Sequence, residues 1–356
     1  MEVISARSPF QIIVDEVGQT GSKVELFIWN KGTTEPTTPT YILSSNIASA
    51  TQIETNYNVS PYILEYINQI TPSYSTSPIA ESNTGWCFAR IKKYKNVSGT
   101  FTLITNVLYI GVNGYTEVTD GLDHDIAYNL DFVLLGVQQN VNNKIQYYNN
   151  IPSFNFLIKR APANNYTVSY FNSAGTLLNT YLILSGGSTD YFNYKVPLAF
   201  NNSAFCEIES DVDGVMYRVY TEKIEECKYT PVNCMYVNRY GGWQQITFFK
   251  AQTNKIDIQS SKYNLMPSNI FYNASEGQKK SFNINGTQTI TCNTGWVTEG
   301  YNNFIKELML SDTILLDGKP ATIKTQSLQY KSNLLDKNIN YTMDFEYSNS
   351  LINNII

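Results

Sequence analysis

CMYVNRYGGWQQITFFKAQTNKIDI (residues 234–258) reads as a strand, a Gly-Gly turn and a second strand. Gly241 and Gly242 supply the positive φ that a tight turn demands, and Trp243 caps the hairpin. Beside Tyr240, an exposed Trp243 would also offer an aromatic face for stacking on a sugar or on a neighbouring subunit. The turn reading is favoured over the stacking one, and the two are compatible. Tyr240, Gly241, Gly242 and Trp243 are therefore the chain's candidates for assembly or ligand contact. Nothing in the stretch can hold a metal or attack a substrate.

The composition extends this β reading to the whole chain. Its 356 residues exceed one ordinary core and point to several domains. Charged residues make up 15 % and aromatics 13 %, with 27 Tyr. Tyr and Thr fit a pleated, half-buried surface, and Asn suits turns. The predicted fold class is mainly β: multi-domain β-sandwich or barrel-like units with a few short amphipathic helices. A surface of amides and hydroxyls with little charge suits a protein enclosed by neighbours. AT-rich coding would enrich the same residues and accounts for the Asn content equally well.

From 8 to 114 the pattern is that of a sandwich. In SKVELFIWN (22–30), Val24, Leu26 and Ile28 face one side and Glu25, Phe27 and Trp29 the other. GTTEPTTPT (32–40) is a Pro/Thr loop. Ser60-Pro61 opens a short helix with Ser60 as N-cap and a stripe of Tyr62, Ile63, Tyr66, Ile67 and Ile70. Strands follow at 86–95, 100–105 and 107–112, which gives an immunoglobulin- or fibronectin-like unit over 1–117. Residues 118–150 read as a connecting segment, with VNNKIQYYNN (141–150) as a linker. A middle β-domain spans 151–232, with turns at 172–175 and 211–214 rich in Asn, Asp and Gly. A C-terminal β-domain spans 233–356. It has a hairpin across Asn285-Gly286, a helix at about 298–310 capped by Thr298, and a turn at Asp317-Gly318.

Candidate chemistry is sparse. The one histidine, His124, sits among Asp120, Asp123 and Asp125, a weak cation site that lacks a full calcium loop. A serine nucleophile would have to use His124, and no elbow motif presents one. Cys227 and Cys234 lack two further zinc ligands nearby. The carboxylate pairs Glu207/Glu209 and Asp344/Glu346 lie at i, i+2 on strands, a spacing that a glycosidase could use but that half-exposed strands carry routinely. The expectation is a non-enzyme without cofactor or resident metal. Net charge is −5, and the densest basic run, IKKYK (91–95), reads as a solvated strand end and not a nucleic-acid face. No apolar run reaches membrane-span length, no signal peptide opens the chain, and five cysteines without C-x-x-C spacing read as reduced thiols made in a cytoplasm.

NRYGGWQQITFF (238–249), followed by GWVTEGYNNFIKELMLSDTILLDGKPATI (295–323), resembles tail-associated structural proteins of bacteriophages infecting Bacteroidetes, the crAss-like phages among them. RSPFQIIV, VELFIW and SPYILEYI, within 7–67, resemble the first domain of such proteins. The matches cover about half the chain and carry no catalytic residues. Trp243 stands where many relatives have Asp, and the middle domain has no counterpart. The resemblance implies a virion protein, synthesised in the host cytoplasm, that forms a ring or hub of the tail barrel between portal and distal tail. Its implied partners are itself, as a closed cyclic homo-oligomer, the neighbouring ring, hub or portal-proximal proteins, and genomic DNA in non-specific passage. No membrane is involved. The alternative is a glycan-binding receptor-recognition protein of a phage tail.

Overall fold

The structure is a computed structural model. It describes residues 2–48, 52–69, 76–81, 85–121, 132–135, 144–159, 165–184, 191–212, 214–226, 228–265, 275, 277–327, 329 and 339–352. The chain is mainly β and divides into two compact units. One holds 1–224 with 236–245; the other holds 225–235 with 246–356.

The first unit opens with β1 (Glu2–Ser5), β2 (Gln11–Val14), β3 (Gly21–Trp29), β4 (Tyr41–Asn46), β5 (Thr55–Asn58), α1 (Ser60–Leu64), β6 (Ile79–Glu81), β7 (Trp86–Val97) and β8 (Thr100–Val112). Five of these strands form a sheet in the order β1-β8-β7-β3-β4, antiparallel throughout except for the parallel β1/β8 pair. The predicted alternation of β3 holds. Val24, Leu26 and Ile28 enter a core with Cys87, Ala89 and Ile91 of β7, covered by Ile12 and Val14 of β2, Tyr57 of β5 and Ile63 of α1. The β2–β5 ribbon is therefore the second layer of a sandwich-like unit. Buried hydroxyls tie the layers together: Ser22 Oγ lies 2.5 Å from Thr55 Oγ1 and 2.7 Å from the Tyr57 hydroxyl. On the opposite face of the sheet, Trp29 stacks on Phe88 at 5.3 Å and Trp86 meets Phe88 edge-on at 4.8 Å.

Three local expectations change here. The strands at 100–105 and 107–112 are one strand, β8, because both halves pair with the unbroken β7. Ser60 does not cap α1. The cap position is Val59, and the Ser60 hydroxyl donates to the Ser8 carbonyl at 2.6 Å while accepting from Phe10 N–H at 2.9 Å. It ties the start of the five-residue helix to the 8–10 segment. Residues 145–147, within the stretch read as a linker, form a strand parallel to 221–223.

The same unit continues with a short 3₁₀ turn (Val118–Asp120), then β9 (Phe132–Leu135), β10 (Ile145–Tyr147), β11 (Ser153–Lys159), β12 (Tyr166–Phe171), β13 (Leu177–Leu184), β14 (Tyr191–Pro197), β15 (Phe205–Ser210) and β16 (Gly214–Lys223). They make two sheets, β10-β16-β15-β12-β13 and β6-β14-β11-β9. Tyr166, Val168, Tyr170, Cys206, Ile208 and Val219 of the larger sheet share a core with Val196 of β14. The Tyr170 hydroxyl donates to Pro197 O at 2.7 Å, satisfying its buried polar end. At the predicted turn, Asn172 Oδ1 accepts from Ala174 N–H and Thr176 N–H while Gly175 takes φ +80°.

The second unit is built on β17 (Val232–Val237), β18 (Trp243–Phe248), β19 (Thr253–Asn264), β20 (Lys279–Asn293), α2 (Tyr301–Met309), β21 (Ile314–Leu316), β22 (Lys319–Ile323) and β23 (Thr342–Tyr347). The sheet order is β18-β17-β21-β22-β23-β20-β19. The ends of β17 and β18 that meet at the Gly-Gly turn belong to the first unit. Helix α2 buries Tyr301, Phe304, Ile305 and Leu308, the predicted stripe, while Met309 is half-buried. Its cap is Gly300 and not Thr298. Asp317 (φ +45°) and Gly318 (φ +79°) make the two-residue turn between β21 and β22. No turn forms at Asn285-Gly286. There β20 runs straight through, paired with β19, and the Asn285 side chain is occupied by the backbone of Ile352. Among the described residues, no helix is long and apolar enough to cross a membrane.

Gly111, on β8, tests the packing of the first core. A Cβ placed there would collide with the Ile63 side chain and sit 3.1 Å from Cys87 Sγ. Gly111→Ala is expected to cost about 1–3 kcal/mol by overpacking. Urea unfolding with an unchanged m-value is the check.

Candidate functional site

The Gly-Gly turn is built around one buried side chain. Asn238 Oδ1 accepts from Tyr240 N–H at 3.0 Å and Gly242 N–H at 3.1 Å, while Asn238 N–H donates to Gly242 O at 2.8 Å. Gly241 is thereby held at φ +86°, with its carbonyl accepting from Gln69 Nε2 at 3.0 Å. A Cβ on Gly241 would lie 2.8 Å from Asn113 N. Tyr115 N–H donates to Arg239 O at 2.9 Å, and the Arg239 guanidinium, 3.6 Å from Glu117, lies over the Tyr240 ring at 5.7 Å. All these residues belong to the first unit, so the turn is a clasp inside it.

The reading of Trp243 as an exposed platform is corrected by its burial: only 2 % of it is accessible. The turn reading is the one that describes it. Of the four contact candidates, Gly241, Gly242 and Trp243 are buried and Tyr240 is half-buried. Asp123, His124 and Asp125 lie outside the described residues, as does Cys227, and Asp120 ends the short 3₁₀ turn. Among the described residues, no group of His, Cys, Asp and Glu has the arrangement to hold a metal. Cys87, Cys206, Cys234 and Cys292 are free, buried thiols. Burial pushes Cys87, Cys206 and Cys292 up to about 12, so these groups stay protonated at neutral pH.

Three of the four acids in the carboxylate pairs have a cationic or hydroxyl partner. Glu207 lies opposite Arg218 and is paired with it; the acid is almost fully buried while the arginine is half-exposed. Arg218 also stands over the Phe205 ring at 5.2 Å. Phe205 stacks on Phe171 at 5.0 Å and touches Tyr220 at 5.5 Å, giving an aromatic row beside the charged one. Glu209 shares the strand face with Glu207. Burial, and then repulsion by Glu207, raise its pKa above the ordinary carboxylate range. Asp344 accepts from Thr291 Oγ1 at 2.5 Å, and Glu346 pairs with Lys324. Sequence spacing placed each acid pair on one face, but Arg218 was missed because strand pairing, unlike alternation, is not local.

The remaining distinctive surface is the β19–β20 ribbon. β20 pairs with β23 only over 289–293, whereas its pairing with β19 runs on to Lys279. Beyond Gly286, the two strands pair only with each other among the described strands. The exposed ribbon bears Ile256, Ile258, Tyr263, Phe282 and Ile284, each more than 40 % accessible. Neither the protein-family models nor the curated proteins give a match to this chain.

Two substitutions probe the site. Gly241→Ala combines positive-φ strain with a clash on Asn113 and is expected to cost about 2–4 kcal/mol in urea unfolding. Glu209, whose folded pKa is raised, contributes stability only below the ordinary carboxyl pKa and loses it as pH rises through the folded value. Glu209→Gln should therefore raise the melting temperature at pH 7, with the gain shrinking towards pH 4 in thermal melts at the two pH values.

Proposed function

We propose that this chain is a non-enzymatic structural subunit of a bacteriophage tail. It forms, as a closed cyclic homo-oligomer, a ring or hub of the tail barrel between portal and distal tail. The observation that carries this reading is the set of open sheet edges in a mainly β chain. Strand β4 pairs only with β3, and β13 only with β12, among the described strands. β13 bears Leu177, Leu178 and Leu182, all exposed, and β4 bears exposed Ile42. Free edges with apolar side chains are templates for strand addition by a neighbour, and a heterologous contact that closes on itself makes a ring.

Further support comes from the resemblance of 238–249, 295–323 and the motifs within 7–67 to tail proteins of crAss-like phages. The first sheet adds to it. Its last strand lies between the first strand, parallel, and its own hairpin partner, followed by β3 and β4, an order that suits an immunoglobulin-like sandwich. A net charge of −5 suits a wall past which DNA slides without sticking. The site of synthesis is then the host cytoplasm and the final location the virion, with adjoining ring, hub or portal-proximal proteins as partners.

A second reading, a glycan-recognition protein of a phage tail, rests on the half-buried row of Phe171, Phe205 and Tyr220 beside Glu207 and Arg218. Mass photometry and negative-stain images of one purified sample separate the readings. Closed rings of many copies with a central hole are expected. Compact trimers, together with glycan-array binding that is lost in Phe171→Ala, would transfer the assignment to the second reading.

A further inference from the structure

A two-stranded ribbon standing alone in water is marginal, because neither face has a layer to bury against. The β19–β20 ribbon extends over 258–264 for roughly 23 Å at about 3.3 Å per residue. Along it, Tyr263 and Phe282 meet edge-on at 5.6 Å, a local contact that shields neither ring fully, since both remain 45 % accessible. At its base, Ile258 flanks Gly286 opposite Leu351, and both side chains are also exposed. Isolated exposed apolar residues need no explanation, but a ribbon that exposes them on both faces, Ile256 and Ile258 on one and Tyr263 and Phe282 on the other, does.

Charge indicates what covers it. Residues 253–293 hold four lysines (Lys255, Lys262, Lys279 and Lys280) against two acids (Asp257 and Glu276), a net +2. The whole chain carries −5, so the remainder carries −7. Asp257 is already paired with Lys255 at 2.6 Å, and Lys262 and Lys279 are exposed. A basic, apolar arm attached to an acidic body complements a second copy of that body.

We infer that the β19–β20 ribbon is an assembly arm that docks on a second copy of this chain. Its apolar side chains supply the contact, and Lys262 and Lys279 steer it onto acidic surface of the neighbour. The inference rests on the self-association in the proposed function, but not on a phage tail. It adds a contact segment to the open edges of β4 and β13.

Sedimentation velocity on the full chain over a concentration series tests it. The wild-type chain is expected to self-associate, more weakly in 1 M salt. Ile258→Ser with Phe282→Ser, and separately Lys262→Glu with Lys279→Glu, are each expected to weaken association at least tenfold. At concentrations too low for association, melting temperatures should stay unchanged, since all four side chains are exposed. The charge-reversal variant decides the matter if the serine variant fails to fold. Tyr263→p-benzoylphenylalanine should give, on irradiation, an adduct of twice the chain mass.

A wild-type chain that stays monomeric at every concentration overturns the inference, as do variants that associate like wild type or irradiation that yields no self-adduct. Rings that persist in both variants would sink the arm and leave the ring reading standing. Arm-dependent dimers without rings would sink the ring reading and leave the arm.

Discussion

The carboxamide of Asn238 is the constraint on which the clasp of the first unit depends. A chain reversing direction at Gly241-Gly242 turns backbone N–H groups into a largely buried place, and each left unmade costs about 1–3 kcal/mol. One side-chain oxygen accepts two of them, from Tyr240 and Gly242. That closure fixes Gly241 at positive φ and presents its carbonyl to Gln69, far away in sequence. It also leaves no room for a Cβ between Gly241 and the backbone of Asn113. The glycine is thus required twice, once by conformation and once by proximity, and Trp243 is buried as a consequence of where the turn sits.

Alternation was the most readable layer of the sequence. Val24, Leu26 and Ile28 could be placed on one face because period two is written directly into a strand. The stripe of α2 was legible from its own period of about 3.6, and so were the turns at 172–175 and Asp317-Gly318, where Gly175, Asp317 and Gly318 carry the required φ. What failed was non-local. Asn285-Gly286 has strong turn chemistry, yet β19 on one side and the backbone of Ile352 on the other hold it extended. Ser60 has strong capping chemistry, yet the 8–10 segment claims its hydroxyl. The candidate site followed the same division: Gly241 could be seen as a turn residue, while the burial of Trp243 and the partner of Glu207 depend on strands that only the fold brings together.

The scarcity of charge gives each ion pair a definite place in the sheets. Glu207 pairs with Arg218, Glu25 with Lys23, Glu346 with Lys324, and Arg90 with Glu35. Several of these add an aromatic neighbour, as where Lys23 stands over the Tyr94 ring at 4.4 Å and Tyr94 donates to Glu25 at 2.8 Å. Such clusters satisfy carboxylates that lie on half-covered sheet faces, where an unpaired charge would be costly. Their exposed members add little stability individually. In each of the two acid pairs at i, i+2, one member meets a partner on the neighbouring strand, Glu207 with Arg218 and Asp344 with Thr291.

Strand β20 joins two environments in one element. At its C-terminal end, Ile290 and Cys292 are buried and the backbone is paired with β23. Towards its N-terminal end, Phe282 and Ile284 are exposed, and Asn283 takes φ +50° at an irregularity in the ladder. Because no loop separates the two ends, a force on the ribbon acts directly on the register of β20 against β23. A flexible tether would leave the core indifferent to what the ribbon touches. A continuous strand does not, so covering the ribbon would also stiffen the sheet from which it grows.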